Sequence, residues 1–385
     1  MLALSGCLLW YSISTYRLSG QNRLGDFSAR FFPEAQILNG HSRYLVIDLS
    51  GAAESYKKAI IEGPSFLDAW MGLARSRIAS GRMDEARNIL KIIAPSLASI
   101  GTWKLQELQL AFDLHDEPYF VQCYNYILSY LPHHAEEAVR LASQFWGGWE
   151  DIIPHVFFPN RPLFLSMLID FRQVDAAVAL FRVIEQEGPE LQEKERLRFC
   201  DFLISNDRIR EAETVWRLRK NPDSSLIDDG RFEAEPLNTA FGWRFRNDPD
   251  ALVERTADSS NAGKPCLHVH FNGTGNVNSD LAYQIVPVRA GTSYIVLFVR
   301  RSSGLTTDRG VFLGVEGFRK DGLKVASEPA LGDSPWKEER IEFTVPSGCE
   351  AVVLHVRRDE SLKMDNKISG DYWLGSVVMV EQGKE

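Results

Sequence analysis

The 385-residue chain has few cysteines, and they follow no metal-binding pattern. Its five cysteines are scattered, with no CxxC pair and no histidine at zinc-finger spacing, which argues against a structural zinc site. The odd number also excludes a disulfide framework that uses every cysteine. Cys266 and Cys349 are the two that we expect to be able to pair, and only in an oxidising compartment.

Catalytic signatures are missing as well. The sequence has no GxSxG elbow, no P-loop, no HExxH and no GxGxxG after a predicted strand. We therefore expect a protein that is not an enzyme and that uses no cofactor. The paired carboxylates of a glycoside hydrolase leave no sequence motif, because their separation is a property of the fold. An unrecognised glycan hydrolase thus stays as a remote alternative.

Positive charge is in short supply. Lys and Arg number 43 against 52 Asp and Glu, which gives a formal net charge of −9 at pH 7. Nucleic acids and anionic membranes are bound through basic surfaces, so we expect no nucleic-acid partner. The apolar content of 44% and the length instead predict a globular protein of two or three domains.

The hydrophobic N-terminal segment, residues 1–20, is short for a membrane span. Its apolar part, Met1–Tyr16, falls below the ~20 residues that a bilayer requires. Three interpretations stay open: a truncated membrane anchor that follows a late start codon, a buried helix of the first repeat, or a lipobox-like site at 4–7. Aromatic residues at one end favour the anchor, and hence membrane contact through residues 1–16, whereas the arginines that follow oppose export.

Residues 221–225 predict a linker between two different kinds of structure. Before them, apolar residues recur at helical spacing; after them, short alternating segments are separated by Gly, Asn, Asp and Pro. The sequence therefore predicts a multidomain protein. An all-α helical repeat array at 33–220 is followed by an all-β jelly-roll sandwich at 226–385.

Small residues in the helical part repeat with a fixed spacing. Ala52, Tyr56 and Ala59 are followed 34 residues later by Ala86, Leu90 and Ile93. This pattern resembles the tetratricopeptide repeat, which implies stacked helical hairpins with a concave surface that docks a protein partner. The match is good at 52–95, fair at 101–132 and 172–220, and poor at 143–162. At 143–162 we predict an irregular, aromatic-rich insertion that fills a break between two sub-arrays.

The β part predicts a sandwich of eight or nine strands. We expect these strands at 226–233, 241–247, 265–272, 281–289, 293–301, 310–318, 338–345, 350–357 and 372–380. Several segments in order resemble the carbohydrate-binding, galactose-binding-like jelly rolls of bacterial polysaccharide-active proteins: 229–233, 242–243, 283–288, 291–294, Trp336 before 341–346, and 370–374. The resemblance implies a glycan ligand.

Sugar binding requires aromatic rings against the pyranose and planar polar groups at its hydroxyls. The candidates for these two roles are Trp243, Tyr283, Tyr372 and Trp373, and Arg244, Asn276, Asn278 and Gln284. Regular strand alternation places Trp243 in the core and Arg244 on the opposite face, whereas a bulged or edge strand makes both available to a ligand. We expect Trp243 in the core. Alternation likewise places His268 and His270 together on a face away from the core.

Three acidic residues at the start of the β part are candidate calcium ligands. Asp228, Asp229 and Glu233 offer oxygen ligands, but calcium takes six to eight. The resembled families carry an acidic residue after the last-strand Trp, where this chain has Leu374. We therefore expect no metal.

We interpret the chain as a non-enzymatic scaffold whose repeats dock a protein and whose sandwich binds a polysaccharide. Its layout resembles bacterial exopolysaccharide-associated envelope proteins, which implies the inner membrane, on the periplasmic side; a cytoplasmic location is the alternative. The competing function is a purely architectural assembly protein whose sandwich mediates protein–protein contact.

Overall fold

The computed structural model describes residues 33–98, 100–187, 190–218, 225–258, 263–319, 322–364 and 366–383. Met1–Tyr16 and residues 221–224 lie outside these ranges, and with them the predictions made for the N-terminal segment and for most of the linker. Helices occupy the chain up to Arg217 and strands follow from Arg244 to Glu381, which confirms the predicted fold class. The chain forms two compact units, with the boundary between Met167 and Leu168.

The first unit is built from helices joined by short turns. They are α1 Pro33–Leu45, α2 Leu49–Glu62, α3 Leu67–Ala79, α4 Met83–Leu97, α5 Lys104–Leu114, α6 Glu117–Tyr130 and α7 Ala135–Trp146, followed by α8 Arg161–Asp170, which crosses the boundary. Side-chain caps begin two of them. Asp48 accepts from the Gly51 amide at α2, and Asp116 accepts from the Tyr119 amide at α6.

Tyr56 is the point at which the first three helices meet. Its side chain is 1% exposed, and a Cβ added at Gly40 on α1 or at Gly72 on α3 would overlap its ring. Ala52 and Ala59, on the same helix as Tyr56, are fully buried. Small residues therefore let the helices approach closely around one aromatic side chain, which is the packing that the repeat spacing predicts.

The helical pattern breaks after α7, as predicted for 143–162. Two short 3₁₀ segments, Glu150–His155 and Phe158–Asn160, replace a regular helix. Trp146 stacks on His155 with ring centroids 4.2 Å apart. The Asn125 side chain accepts from the Phe157 amide at 2.7 Å and donates to the His155 carbonyl at 2.8 Å. Trp146 and His155 thus pack on each other and Asn125 holds the irregular backbone in place, whereas Phe157 and Phe158 are 51% and 48% exposed.

The second unit contains the last helices and the whole sandwich. The helices are α9 Val174–Glu187, α10 Glu193–Ser205 and α11 Ile209–Arg217. The strands are β1 Arg244–Phe245, β2 Ala251–Asp258, β3 Lys264–Asn272, β4 Ser279–Pro287, β5 Ser293–Leu305, β6 Val311–Gly317, β7 Lys324–Ala326, β8 Gly332–Thr344, β9 Ala351–Arg358 and β10 Ser369–Glu381. They form two antiparallel five-stranded sheets, β1-β4-β9-β6-β7 (the first sheet) and β2-β3-β10-β5-β8 (the second sheet).

Two strand predictions were wrong, and two strands were missed. The segment 226–233 is a turn, because Asp229 and Phe232 have left-handed φ values of 44° and 55° and the Asp229 carboxylate accepts two following amides. Strands 251–258 and 324–326 were missed, since charged residues interrupt their apolar alternation. The strand predicted at 241–247 is reduced to the two residues of β1.

Between the sheets lies a core of aliphatic and aromatic side chains that includes Leu267, Phe298, Leu354 and Tyr372. Cys266 and Cys349 are buried and are not joined by a disulfide, so the pairing considered for them does not occur. Each thiol lies beside a backbone carbonyl instead, that of Thr256 or Ala351. Among the described residues, no helix is both long and apolar enough for a membrane span.

Candidate functional site

Helices α10 and α11 pack on the outer face of the first sheet. Arg244 on β1 pairs with Asp201 on α10 at 2.5 Å. From α11, Arg210 donates to the Val288 carbonyl at 2.7 Å. At the far end, Arg319 donates to the Ser205 carbonyl at 3.0 Å. These contacts cover part of the first sheet, so the second sheet offers the more open face.

Two predicted site residues, Arg244 and Tyr283, meet on the covered sheet. The Arg244 guanidinium lies 5.5 Å from the centre of the Tyr283 ring, and that of Arg246 lies 4.5 Å from it. Arg244 and Tyr283 line a crevice of about 380 Å³, and α10 forms its opposite wall. Because Arg244 is already paired with Asp201, this pair joins helix to sheet and is poorly placed to receive a sugar.

Three other predicted site residues lie in the core. Trp243 is 2% exposed and packs on Phe232 at 5.3 Å between ring centroids, as strand alternation predicts. Tyr372 is fully buried, and burial raises the pKa of its hydroxyl. Gln284 is fully buried as well, and its amide donates to the Asp228 carbonyl at 2.9 Å. The prediction that these side chains contact a sugar was wrong, because none of them reaches the surface.

Asn276 and Asn278 hold buried or half-buried arginines. The Asn276 carbonyl oxygen accepts from fully buried Arg358 at 2.7 Å and from the Ser361 amide at 2.9 Å. Asn278 accepts from Arg357 at 2.7 Å. Asn276 therefore supplies a hydrogen-bond acceptor to the buried guanidinium of Arg358, and Asn278 supplies one to the half-buried guanidinium of Arg357.

Among the described residues, the side chains of the calcium candidates do not come together as one set of ligands. Asp229 uses both carboxylate oxygens to accept the amides of Glu233 and Ala234, while burial raises its pKa. Asp228 contributes its backbone carbonyl to Gln284. Within the described ranges, no group of three or more His, Cys, Asp or Glu side chains is arranged to hold a metal ion.

The outer face of the second sheet carries the remaining predicted residue, Trp373. His268 on β3 stacks on it with ring centroids 5.0 Å apart and planes 12° apart. Arg301 on β5 lies 4.4 Å from the ring centroid. The register places His268 and Arg301 on opposite sides of Trp373. Both faces of this indole are therefore covered, which leaves its edge toward solvent.

Trp336, on β8, lies along the same face. Its Nε1 donates to Asp258 on β2 at 3.0 Å, although β2 and β8 are the two edge strands of this sheet. A Cβ added at Gly375 on β10 would lie 3.3 Å from the Trp336 ring. The indole thus crosses β5 and rests over a glycine. Because one indole and one carboxylate bridge both edges, the face is concave.

Charged groups surround the two indoles. Arg301 pairs with Asp258 at 2.8 Å. On the other side, one oxygen of Asp371 lies 2.9 Å from His268 and 2.8 Å from His270. As predicted, both histidines lie on the face away from the core. We name this group the Trp336 face; its members are Trp336, Trp373, Arg301, Asp258, His268 and Asp371.

The sequence does not single out most of this face. Trp336 precedes the predicted strand 338–345, whereas the observed strand begins at Gly332 and places Trp336 inside it. Extending the alternation of Ile341 and Phe343 backward would have placed Trp336 on the outer face. Asp258 was missed together with its strand, β2.

The tetratricopeptide repeat family model matches residues 48–99, which covers α2, α3 and α4. This match confirms the predicted repeats in that segment. No curated protein matches the chain in sequence.

Among solved structures, the sandwich resembles carbohydrate-binding modules. A family 4 module is 14% identical, with 40% of this chain and 99% of that chain covered and a TM-score of 0.32. The xylan-binding family 22 domain of Paenibacillus barcinonensis Xyn10C is 15% identical, with 40% and 93% covered and a TM-score of 0.28. A family 61 module in complex with β-1,4-galactotriose is 16% identical, with 42% and 100% covered and a TM-score of 0.29.

Proposed function

We propose that this protein is a non-enzymatic scaffold that binds a glycan on the Trp336 face and a protein partner through its helical repeats. The observation that carries the glycan proposal is the position of Trp336. Trp336 is half-buried, and its indole lies along a concave sheet face. Such a ring offers the apolar surface on which a pyranose stacks.

Planar polar groups beside Trp336 supply the second requirement. Asp258 fixes the indole by accepting its N–H, and Arg301 joins Asp258 to the neighbouring Trp373. Sugar hydroxyls both donate and accept, so carboxylates and a guanidinium at fixed positions suit them. Trp373 does not provide a stacking surface, because His268 and Arg301 cover the two faces of its ring. Its edge faces solvent.

The repeats support the protein-binding half of the proposal. Residues 48–99 match the tetratricopeptide repeat, and helical repeats of this kind present extended concave surfaces to their partners. In this proposal the chain brings a glycan and a partner protein together.

We further place the protein in the bacterial envelope, at the inner membrane and on its periplasmic side, in exopolysaccharide assembly or export. The support is the order of the modules and the apolar Met1–Tyr16 segment. Fractionation tests it: recovery of the full-length protein with inner membranes supports the location. Recovery in the cytosol favours the cytoplasmic alternative.

One observation favours the architectural alternative. Leu297 and Val380, on the outer face of the second sheet, are 47% and 37% exposed. Leu297 lies opposite Val378 in the strand register, and Val380 lies opposite Ile295. Aliphatic side chains on an open sheet suit a protein surface better than a sugar. If the sandwich contacts another protein, we expect the contact to be at these aliphatic residues.

Affinity electrophoresis of the full-length protein tests the glycan proposal. The wild type is expected to be retarded in gels that contain at least one polysaccharide from a panel of glucan, xylan, galactan and mannan. Trp336→Ala should lose about tenfold or more of that affinity, since stacking surface and hydrogen bond are both removed. Tyr130→Ala, which truncates an aromatic that is 69% exposed on the first unit, is the control and should be retained like the wild type.

Melting curves accompany both variants. Lost retention with an unchanged melting temperature supports a binding role for Trp336. If no polysaccharide retards the wild type, glycan binding is rejected in favour of the architectural function.

A further inference from the structure

We propose that the glycan bound by the Trp336 face carries no anionic substituents, so that it is an uncharged or amine-bearing hexose or pentose polymer rather than a uronate, sulfated or phosphorylated one. This inference rests on the proposed glycan binding and deepens it. Three carboxylates stand on this side of the sheet around the indoles: Glu254, Asp258 and Asp371.

The cations beside the two indoles are already engaged. Arg301 is 27% exposed and is shared between the Asp258 carboxylate and the Trp373 ring. His268 lies between Glu254 and Asp371, at 3.2 Å and 2.9 Å, and is 15% exposed. Lys264 is exposed on this face and lies opposite Asp258 in register, four residues along β3 from His268, the residue beside Glu254 and Asp371.

The two exposed carboxylates set the preference. Glu254 is 49% exposed and lies in the cross-strand row that contains His268 and Trp373, and Asp371 is 30% exposed in the next row, opposite His270. A carboxylate of the ligand placed beside them would be repelled, and the repulsion grows where a bound chain excludes water. A hydroxyl or an ammonium group instead donates to a carboxylate in a charge-assisted hydrogen bond.

Charge reversal at Glu254 provides the test, because the residue is 49% exposed on the edge strand β2 and its contact is with one side chain of the Trp336 face, His268. Glu254→Lys and Glu316→Lys change the net charge of the chain equally. Glu316 is 38% exposed on β6 of the first sheet and serves as the matched control. Full-length wild type and both variants are run against a neutral β-galactan and xylan, against alginate, and on chitosan beads, at low salt with melting curves alongside.

We expect the wild type to bind a neutral or amine-bearing polymer and to bind alginate at least tenfold more weakly. Glu254→Lys should gain about fivefold or more in alginate affinity and lose affinity for chitosan, while Glu316→Lys should behave as the wild type. Alginate binding by the wild type as tight as neutral binding would overturn this inference and leave glycan binding intact. So would an alginate affinity of Glu254→Lys no greater than that of Glu316→Lys. Retention by no polymer would instead reject glycan binding itself.

Discussion

The carboxylate of Asp201, on helix α10, accepts both from the guanidinium of Arg244 on β1 and from the backbone amide of Ala240. The side chain of Arg244 is 15% exposed, so most of its hydrogen-bonding capacity must be met inside the fold. One acidic residue of the last helical hairpin thereby satisfies two donors of the sandwich. In the second unit, helices and sheets form one folded body.

Asp201→Ala should destabilise the second unit by about 1–3 kcal/mol, because it leaves a largely buried guanidinium and an amide without their acceptor. Asp207→Ala is the control. Asp207 pairs with Arg319 at the surface, where the side chains are 68% and 49% exposed, so its loss should cost about 0–1 kcal/mol. Urea unfolding of the full chain measures both. Equal stabilities of the two variants would show that Asp201 does not join helix to sheet.

Trp243 should behave as a core residue. Trp243→Ala is expected to cost about 3–5 kcal/mol through cavity formation. Trp243→Phe should cost less than about 1.5 kcal/mol, because the buried indole N–H has no hydrogen-bond partner among the described residues. Polysaccharide retention of Trp243→Phe should match that of the wild type. Lost retention with unchanged unfolding would instead make Trp243 a ligand contact.

The burial of Trp243 is one feature of the fold that could be predicted from the sequence. Strand alternation predicts its direction correctly, since a strand turns successive side chains to opposite faces. The same alternation predicts the shared outer face of His268 and His270. The repeat spacing around Tyr56 likewise predicts which helices pack closely.

What the sequence could not show is which strands become neighbours. Trp336 and Asp258 are 78 positions apart and meet only because the second sheet brings β8 and β2 to two edges of one concave face. Tyr283 was expected at a glycan, yet α10 packs over its sheet. That covering depends on tertiary packing, which local patterns do not encode.

Ala86 should tolerate no larger side chain. It is fully buried on α4, in the core that also contains Ala52 and Tyr56. Ala86→Leu adds three heavy atoms to a close helix–helix contact and should cost about 1–3 kcal/mol. Ile92→Ala, on the same helix but 60% exposed, is the control and should change stability by less than about 0.5 kcal/mol. Indistinguishable melting of Ala86→Leu and wild type would mean that α4 does not pack through this residue.

Asp280 should make the second unit sensitive to acid. His355 donates a hydrogen bond to it at 2.8 Å and Arg357 donates another at 3.1 Å, and together they lower the pKa of the carboxyl from 3.8 to about 2. Since the folded pKa lies below the unfolded one, this stabilisation is fully present above about pH 4 and is lost as the pH falls from about 4 to 2.

The magnitude is about 1 kcal/mol, because the Asp280 side chain is 34% exposed and solvent screens part of the interaction. Asp280→Asn should therefore be less stable than the wild type by about 1 kcal/mol at pH 6, and the difference should shrink as the pH approaches 2. Urea unfolding at pH 6, 4 and 2.5 measures it, with the exposed Glu338→Gln as the control. A deficit of Asp280→Asn that stays constant across this range would show that the carboxyl does not titrate with a lowered pKa, and would assign the loss to packing or amide geometry.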